Sequence, residues 1–292
     1  MYEDNLYPSL PTLSKSTRLI SMRNLTASLC LTIAVLLGNV GCDESADFQK
    51  GYTAYKSGDY ATALRNWTPL AEQGHATAQY NLGLMYRNGK GVPQNHKTAV
   101  KWYRLAAEQG NAFGQFHLGL MYDIGQGVLQ DYKTAVKWYK LAAEQGDAES
   151  QYNLGLMYDI GQGVLKDYKT AVKWYKLAAE QEIDSAQYNL GVMYDQGRGV
   201  PENDKTAVKW YRLAAEQGHT KSQFNLGAMY EMGKGVIQDN VYAYMWYNIA
   251  ASSGNETASK NRDIVAEEMT PSRLKFAQIV ARECVRKKYK GC

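Results

Sequence analysis

The sequence predicts an all-α fold: a repeat array of helix pairs closed by a C-terminal capping helix. Three observations carry this reading. The stretch Gln115–Gly146 (QFHLGLMYDIGQGVLQDYKTAVKWYKLAAEQG) recurs with few changes at Gln151–Glu182. Looser copies begin at Gln79, Gln187 and Gln223, so successive copies stand 36 residues apart. A fixed period of this size is the mark of a repeat architecture. Each copy also holds two apolar runs at helical spacing, separated by Gly-x-Gly-Val.

The leading helix of a full copy reads, in the first one, Ala78, Leu82, Met85 and Tyr86, which fall on one face. A glycine lies inside it in every copy (Gly83, Gly119, Gly155, Gly191, Gly227). There it costs about 1 kcal/mol against Ala, so its recurrence predicts close helix–helix approach. The two glycines of Gly89-x-Gly91-Val92 permit the left-handed backbone of a tight connection. Asn95, Asp131, Asp167, Asn203 and Asp239 occupy one position in the five copies and are N-cap residues for the following helix. That helix carries Ala99, Trp102, Tyr103, Ala106 and Ala107 inward, while Lys101, Arg104 and Glu108 form a solvated face. Gly110, Gly146, Gly218 and Gly254 stop it. Glu182 breaks this rule, and a side chain there costs about 1–2 kcal/mol if the conformation is kept. The 182–184 junction is therefore expected to be irregular, with Asp184 capping the next helix one residue late.

On this basis the copies span 48–74 (a shortened first unit), 75–110, 111–146, 147–182, 183–218 and 219–254. The tail, 255–292, leaves the period and forms a helical cap. Thr270 is its N-cap, Pro271 the first helical residue, and Leu274, Phe276, Ala277, Val280 and Ala281 its apolar side. A terminal helix of this kind closes the exposed end of a stack.

The first 41 residues read as an N-terminal extension and export signal, followed by a short linker, 42–47. Arg23 precedes an apolar run from Leu25 to Val40, too short for a comfortable membrane span and suited to export. A start at Met22 would give the signal an ordinary length. Val40-Gly41-Cys42 resembles a bacterial lipobox, in which Cys42 would carry lipid, although Asn39 departs from that pattern. The expectation is an exported chain, periplasmic or membrane-anchored. Of the four cysteines, at 30, 42, 284 and 292, none lies inside the repeats. In an exported protein Cys284 and Cys292 are expected to bond to each other and pin the chain end.

The formal charge of +4 over 292 residues argues against a nucleic-acid binder, which shows a strong basic stripe. No P-loop, dinucleotide fingerprint, Gly-x-Ser-x-Gly or paired metal-ligand spacing is present, so no cofactor, metal or small-molecule substrate is expected. The Trp-Tyr pairs, from Trp102-Tyr103 to Trp246-Tyr247, read as packing rather than a carbohydrate platform. Arg282, Arg286, Lys287, Lys288 and Lys290 make a basic helix end.

The motifs L-G-x-M-Y, G-x-G-V and K-T-A-V-K-W-Y-x-L-A-A-E-Q-G resemble those of Sel1-like repeat proteins, relatives of the tetratricopeptide proteins. The resemblance covers about 48–254. It implies a right-handed α-solenoid that serves as an adaptor or scaffold for a protein or peptide partner, often in bacterial envelopes. One cysteine-rich branch is associated with penicillin binding or weak β-lactamase activity, and the cysteine pair of each of its repeats is missing here. A hydrolase and a structural spacer without ligand are thus the alternatives to the non-enzymatic scaffold. In tetratricopeptide relatives an Asn before Leu-Gly lines the concave groove and bonds to extended peptide backbone. The matching positions are Asn81, His117, Asn153, Asn189 and Asn225. Their bland alternative is a set of bonds between neighbouring helices.

Overall fold

The computed structural model describes residues 40–292. Fourteen α-helices and no strand occur among the described residues. A short leading pair, α1 (Val40–Lys56) and α2 (Tyr60–Glu72), precedes the five full copies. These contribute α3 (Ala76–Asn88) and α4 (His96–Glu108), α5 (Ala112–Ile124) and α6 (Tyr132–Glu144), and α7 (Ala148–Ile160) and α8 (Tyr168–Glu180). Then come α9 (Asp184–Asp195) and α10 (Asp204–Ala215), and α11 (Thr220–Met232) and α12 (Asn240–Ser252). Two cap helices, α13 (Glu256–Glu267) and α14 (Pro271–Arg286), end the chain. The export signal expected before Cys42 lies outside the described residues, except that Val40 and Gly41 open α1. The same helix runs through 42–47, where the sequence reads a linker. No described helix is long and apolar enough to cross a membrane.

The chain divides into two compact units, one ending at Trp138 and one running from Tyr139 to Cys292. Within the first, helices pack in order: α1 on α2, α2 on α3, α3 on α4 and α4 on α5. Its core holds Trp67, Tyr80, Leu82, Met85 and Tyr103, all 0–1% exposed. Within the second, consecutive packing runs from α7 to α13, and α14 returns against α12. There Val265, Ala277, Ala281 and Cys284 join one apolar cluster with Trp246 and Tyr247.

Local chemistry explains these boundaries. Asn95 Oδ1 accepts the Thr98 N–H at 3.0 Å, and Asp131, Asp167, Asn203 and Asp239 cap their helices in the same way. Two leading helices are capped by imidazoles: His75 Nδ1 accepts from Ala78 N–H at 3.1 Å, and His219 Nδ1 from Ser222 N–H at 3.2 Å. The mid-helix glycines have the expected use. A Cβ on Gly191 would lie 2.6 Å from the Tyr211 ring, which fills that space instead.

Glu182 does adopt the backbone of the glycine it replaces, with φ 66. Because it does, α9 keeps its register, and the late cap expected from Asp184 does not form. Asp184 is the first helical residue, and apolar Ile183 holds the cap position without a side-chain bond. At the other end of the chain, Cys284 and Cys292 are joined by a disulfide. Lys288 (φ 51) and Tyr289 (φ 66) turn the backbone so that the Gly291 N–H donates to Glu216 Oε1 at 3.3 Å.

Candidate functional site

Two polar systems run from copy to copy. The first begins with the glutamine that opens each repeat. Gln79, Gln115, Gln151, Gln187 and Gln223 are 0–4% exposed. Each donates Nε2–H to a carbonyl at the end of the preceding helix: Ala71, Ala107, Ala143, Ala179 and Ala215, at 2.9–3.2 Å. Those carbonyls stand in the last turn of their helices, where each also accepts the N–H of the following turn residue (Gly74, Gly110, Gly146, Glu182 or Gly218). Gln109, Gln181 and Gln217 then donate to the free oxygens of Gln79, Gln151 and Gln187 at 2.7–2.9 Å. This clasp holds copies together and leaves those amides engaged.

The second system contains the residues singled out before Leu-Gly. In the second unit the Tyr175 hydroxyl donates to Asp159 Oδ2 at 3.2 Å and accepts from the Asn189 amide. Tyr211 donates to Asp195 Oδ2 at 3.3 Å and accepts from Asn225. Tyr247 donates to Glu231 Oε2 at 2.5 Å and accepts from Asn261 of α13. Each line is carboxylate, buried tyrosine, amide, and the cap supplies the last amide. Burial first, with the neighbouring carboxylates behind it, holds Tyr175 and Tyr211 protonated well above the ordinary tyrosine range. Asn189 and Asn225 are half-buried, whereas Asn153 is buried and its Nδ2 has no partner.

The first unit replaces both ends of this line. Where other copies have Asp123, Asp159, Asp195 and Glu231, the first has Arg87, and where they have Asn, the next has His117. Arg87 Nη1 lies 3.2 Å from His117 Nδ1. Guanidinium nitrogens only donate, so Nδ1 accepts and the ring proton sits on Nε2. The imidazole stacks on Tyr103 (centroids 5.2 Å apart, 15° between planes) and on Tyr80 (5.5 Å, 25°). Burial, and then Arg87, lower its pKa to about 3, so it stays neutral. Asn81 is fully buried, and neither its nitrogen nor its oxygen has a partner.

The structure thus buries Asn81, His117 and Asn153 and ties Asn189 and Asn225 to tyrosines. Sequence reasoning missed the carboxylates that complete the lines and the glutamine clasp. The signal for both was their recurrence at one place per copy. The Trp-Tyr pairs divide: the five tyrosines are 0% exposed, while Trp102, Trp138, Trp174 and Trp210 are half-buried and Trp246 is sealed.

A cleft of about 310 Å³ also opens in the second unit, with Glu182, Lys209, Trp210, Leu213, Glu216 and Lys290 among its walls. All three non-glycine residues with positive φ among the described residues belong to its surroundings. Glu182 is a wall, and Lys288 and Tyr289 carry the chain to Lys290. No cluster of three or more His, Cys, Asp or Glu side chains fit to hold a metal occurs among the described residues.

The Sel1 repeat model matches residues 76–111, 112–147, 148–182, 184–219 and 220–255. The chain belongs to the Sel1 repeat family. The one residue skipped between Sel1 repeats is Ile183, which follows Glu182. The crystal structure of a Sel1 repeat protein from Oxalobacter formigenes is similar at 35% identity and a TM-score of 0.71, over 80% of this chain and 98% of that one. A protective antigen of uropathogenic Escherichia coli strains, with an SLR fold, is 29% identical at a TM-score of 0.41, over 84% of this chain and 70% of that one. No curated protein matches the chain.

Proposed function

We propose that this Sel1 repeat chain is a non-enzymatic scaffold that binds an extended protein or peptide segment along the leading-helix amides. One observation carries the reading: Asn189 and Asn225 recur one copy apart, are half-buried, and have each spent one donor on a tyrosine. A carboxamide offers two N–H donors and a carbonyl with two lone pairs, so each retains capacity for a backbone amide of a bound strand.

The working place is the bacterial envelope, with the chain exported and Cys42 carrying lipid. In-cell crosslinking and affinity capture, read by mass spectrometry, identifies the partner. The Asn189→Ala/Asn225→Ala double variant is then expected to lose capture well below its melting temperature. Unchanged capture by a folded double variant overturns the amide reading. Metabolic palmitate labelling is expected on the wild-type chain and not on Cys42→Ala. Turnover of nitrocefin by the purified chain would replace the scaffold with a hydrolase.

A further inference from the structure

The first full copy differs from the others in charge while keeping their backbone. The Arg87 carbonyl accepts from Gln94 Nε2 at 2.8 Å, as Asp123 does from Gln130 at 2.7 Å and Glu231 from Gln238 at 2.8 Å. An unchanged main chain therefore presents a guanidinium where the second unit presents a carboxylate. In the second unit those carboxylates are consumed by tyrosine hydroxyls. Arg87 has no such sink. Its side chain meets a neutral imidazole, and no carboxylate pairs with it among the described residues.

A guanidinium has five N–H donors in a planar fork, and His117 occupies one nitrogen. His117 is 8% exposed and packed against the rings of Tyr80, Tyr103 and Phe116, which hold it in place. The imidazole thus fixes the orientation of a half-buried cation without neutralising it. We propose that Arg87, oriented by His117, is a binding residue of the first unit for a carboxylate of an extended peptide segment, making the segment that this unit takes acidic. This rests on the peptide-binding reading above and adds the chemistry of the ligand. Partial burial strengthens such a charge-assisted, two-bonded contact relative to one in open water.

The test pans a randomised peptide library displayed on phage against the full chain. Enriched sequences are synthesised and titrated by fluorescence anisotropy. Enrichment in Asp or Glu is expected, and Arg87→Gln is expected to weaken the best acidic peptide about tenfold. A second variant, Arg87→Asp/His117→Asn, rebuilds the carboxylate–tyrosine–amide line of the second unit. It is expected to melt as a folded helical protein and to abolish the acidic preference. Acidic peptides that bind both folded variants as they bind the parent overturn the role of Arg87. Binders without acidic residues overturn it too, while leaving peptide binding standing. A library that yields no binder overturns the peptide-binding reading itself, and the inference falls with it.

Discussion

Glu182 carries a side chain in a backbone conformation that the other copies reserve for glycine, with φ 66. The strain is of the order of 1–2 kcal/mol. Glu182→Gly is accordingly expected to raise stability by about 1 kcal/mol in urea unfolding. Glu182 also forms a wall of the cleft beside Trp210. His117 sets a different dependence. Its pKa falls to about 3 in the fold from an ordinary 6.5, so between these values the unfolded chain binds the proton and the native chain does not. Stability is complete above about pH 6.5 and declines as pH falls towards 3. Thermal melts across that window are expected to show a shallower loss for His117→Asn. The buried tyrosines work in the opposite range. Their raised pKa values keep them neutral in the fold, so their contribution is intact below the ordinary tyrosine value and is lost as pH rises above it.

Helices were legible because their determinants are local. Asn95 and its equivalents cap from two or three residues away, and Gly89 ends α3 with its own φ of 68. The imidazole caps at His75 and His219 were less legible, since histidine is an uncommon cap and identical geometry must be inferred from neighbours. The lines through Tyr175 and Tyr211 were hidden for a stronger reason. Each tyrosine meets a carboxylate 16 residues earlier and an amide 14 residues later, so three helices must be assembled first. For the same reason Asn261 passed unnoticed in a tail that leaves the repeat, although α13 holds it in phase. The mid-helix glycines were read correctly as contact points but not by partner. That partner makes a sharp test: Gly191→Ala puts a methyl 2.6 Å from the Tyr211 ring. A ring closed in on all sides cannot retreat, and overpacking of this kind costs about 1–3 kcal/mol. Calorimetry is expected to show a lower melting temperature for Gly191→Ala, and a smaller drop when Tyr211→Leu accompanies it.

Within each unit, stability is the sum of the copies and of the contacts between neighbours. The bond from the opening glutamine to the preceding Ala carbonyl uses the same atoms at each junction, worth about 1 kcal/mol per bond, so this contact does not depend on which copies flank it. Removal of 183–218 would bring α11 against α8. Gln223 would then face the Ala179 carbonyl, Asn225 would face Tyr175, and Glu180 would stand where Glu216 meets the Gly291 N–H, all by the 36-residue offset. The shortened chain is expected to fold with full helicity and a modestly lower melting temperature, checked by circular dichroism. With interchangeable joints, unequal crossing-over between two near-identical gene segments yields a shorter or longer product that still folds. The number of copies is thereby free to change, and the copies bearing Arg87, His117, Glu182 or the tail are the ones with an individual character to lose.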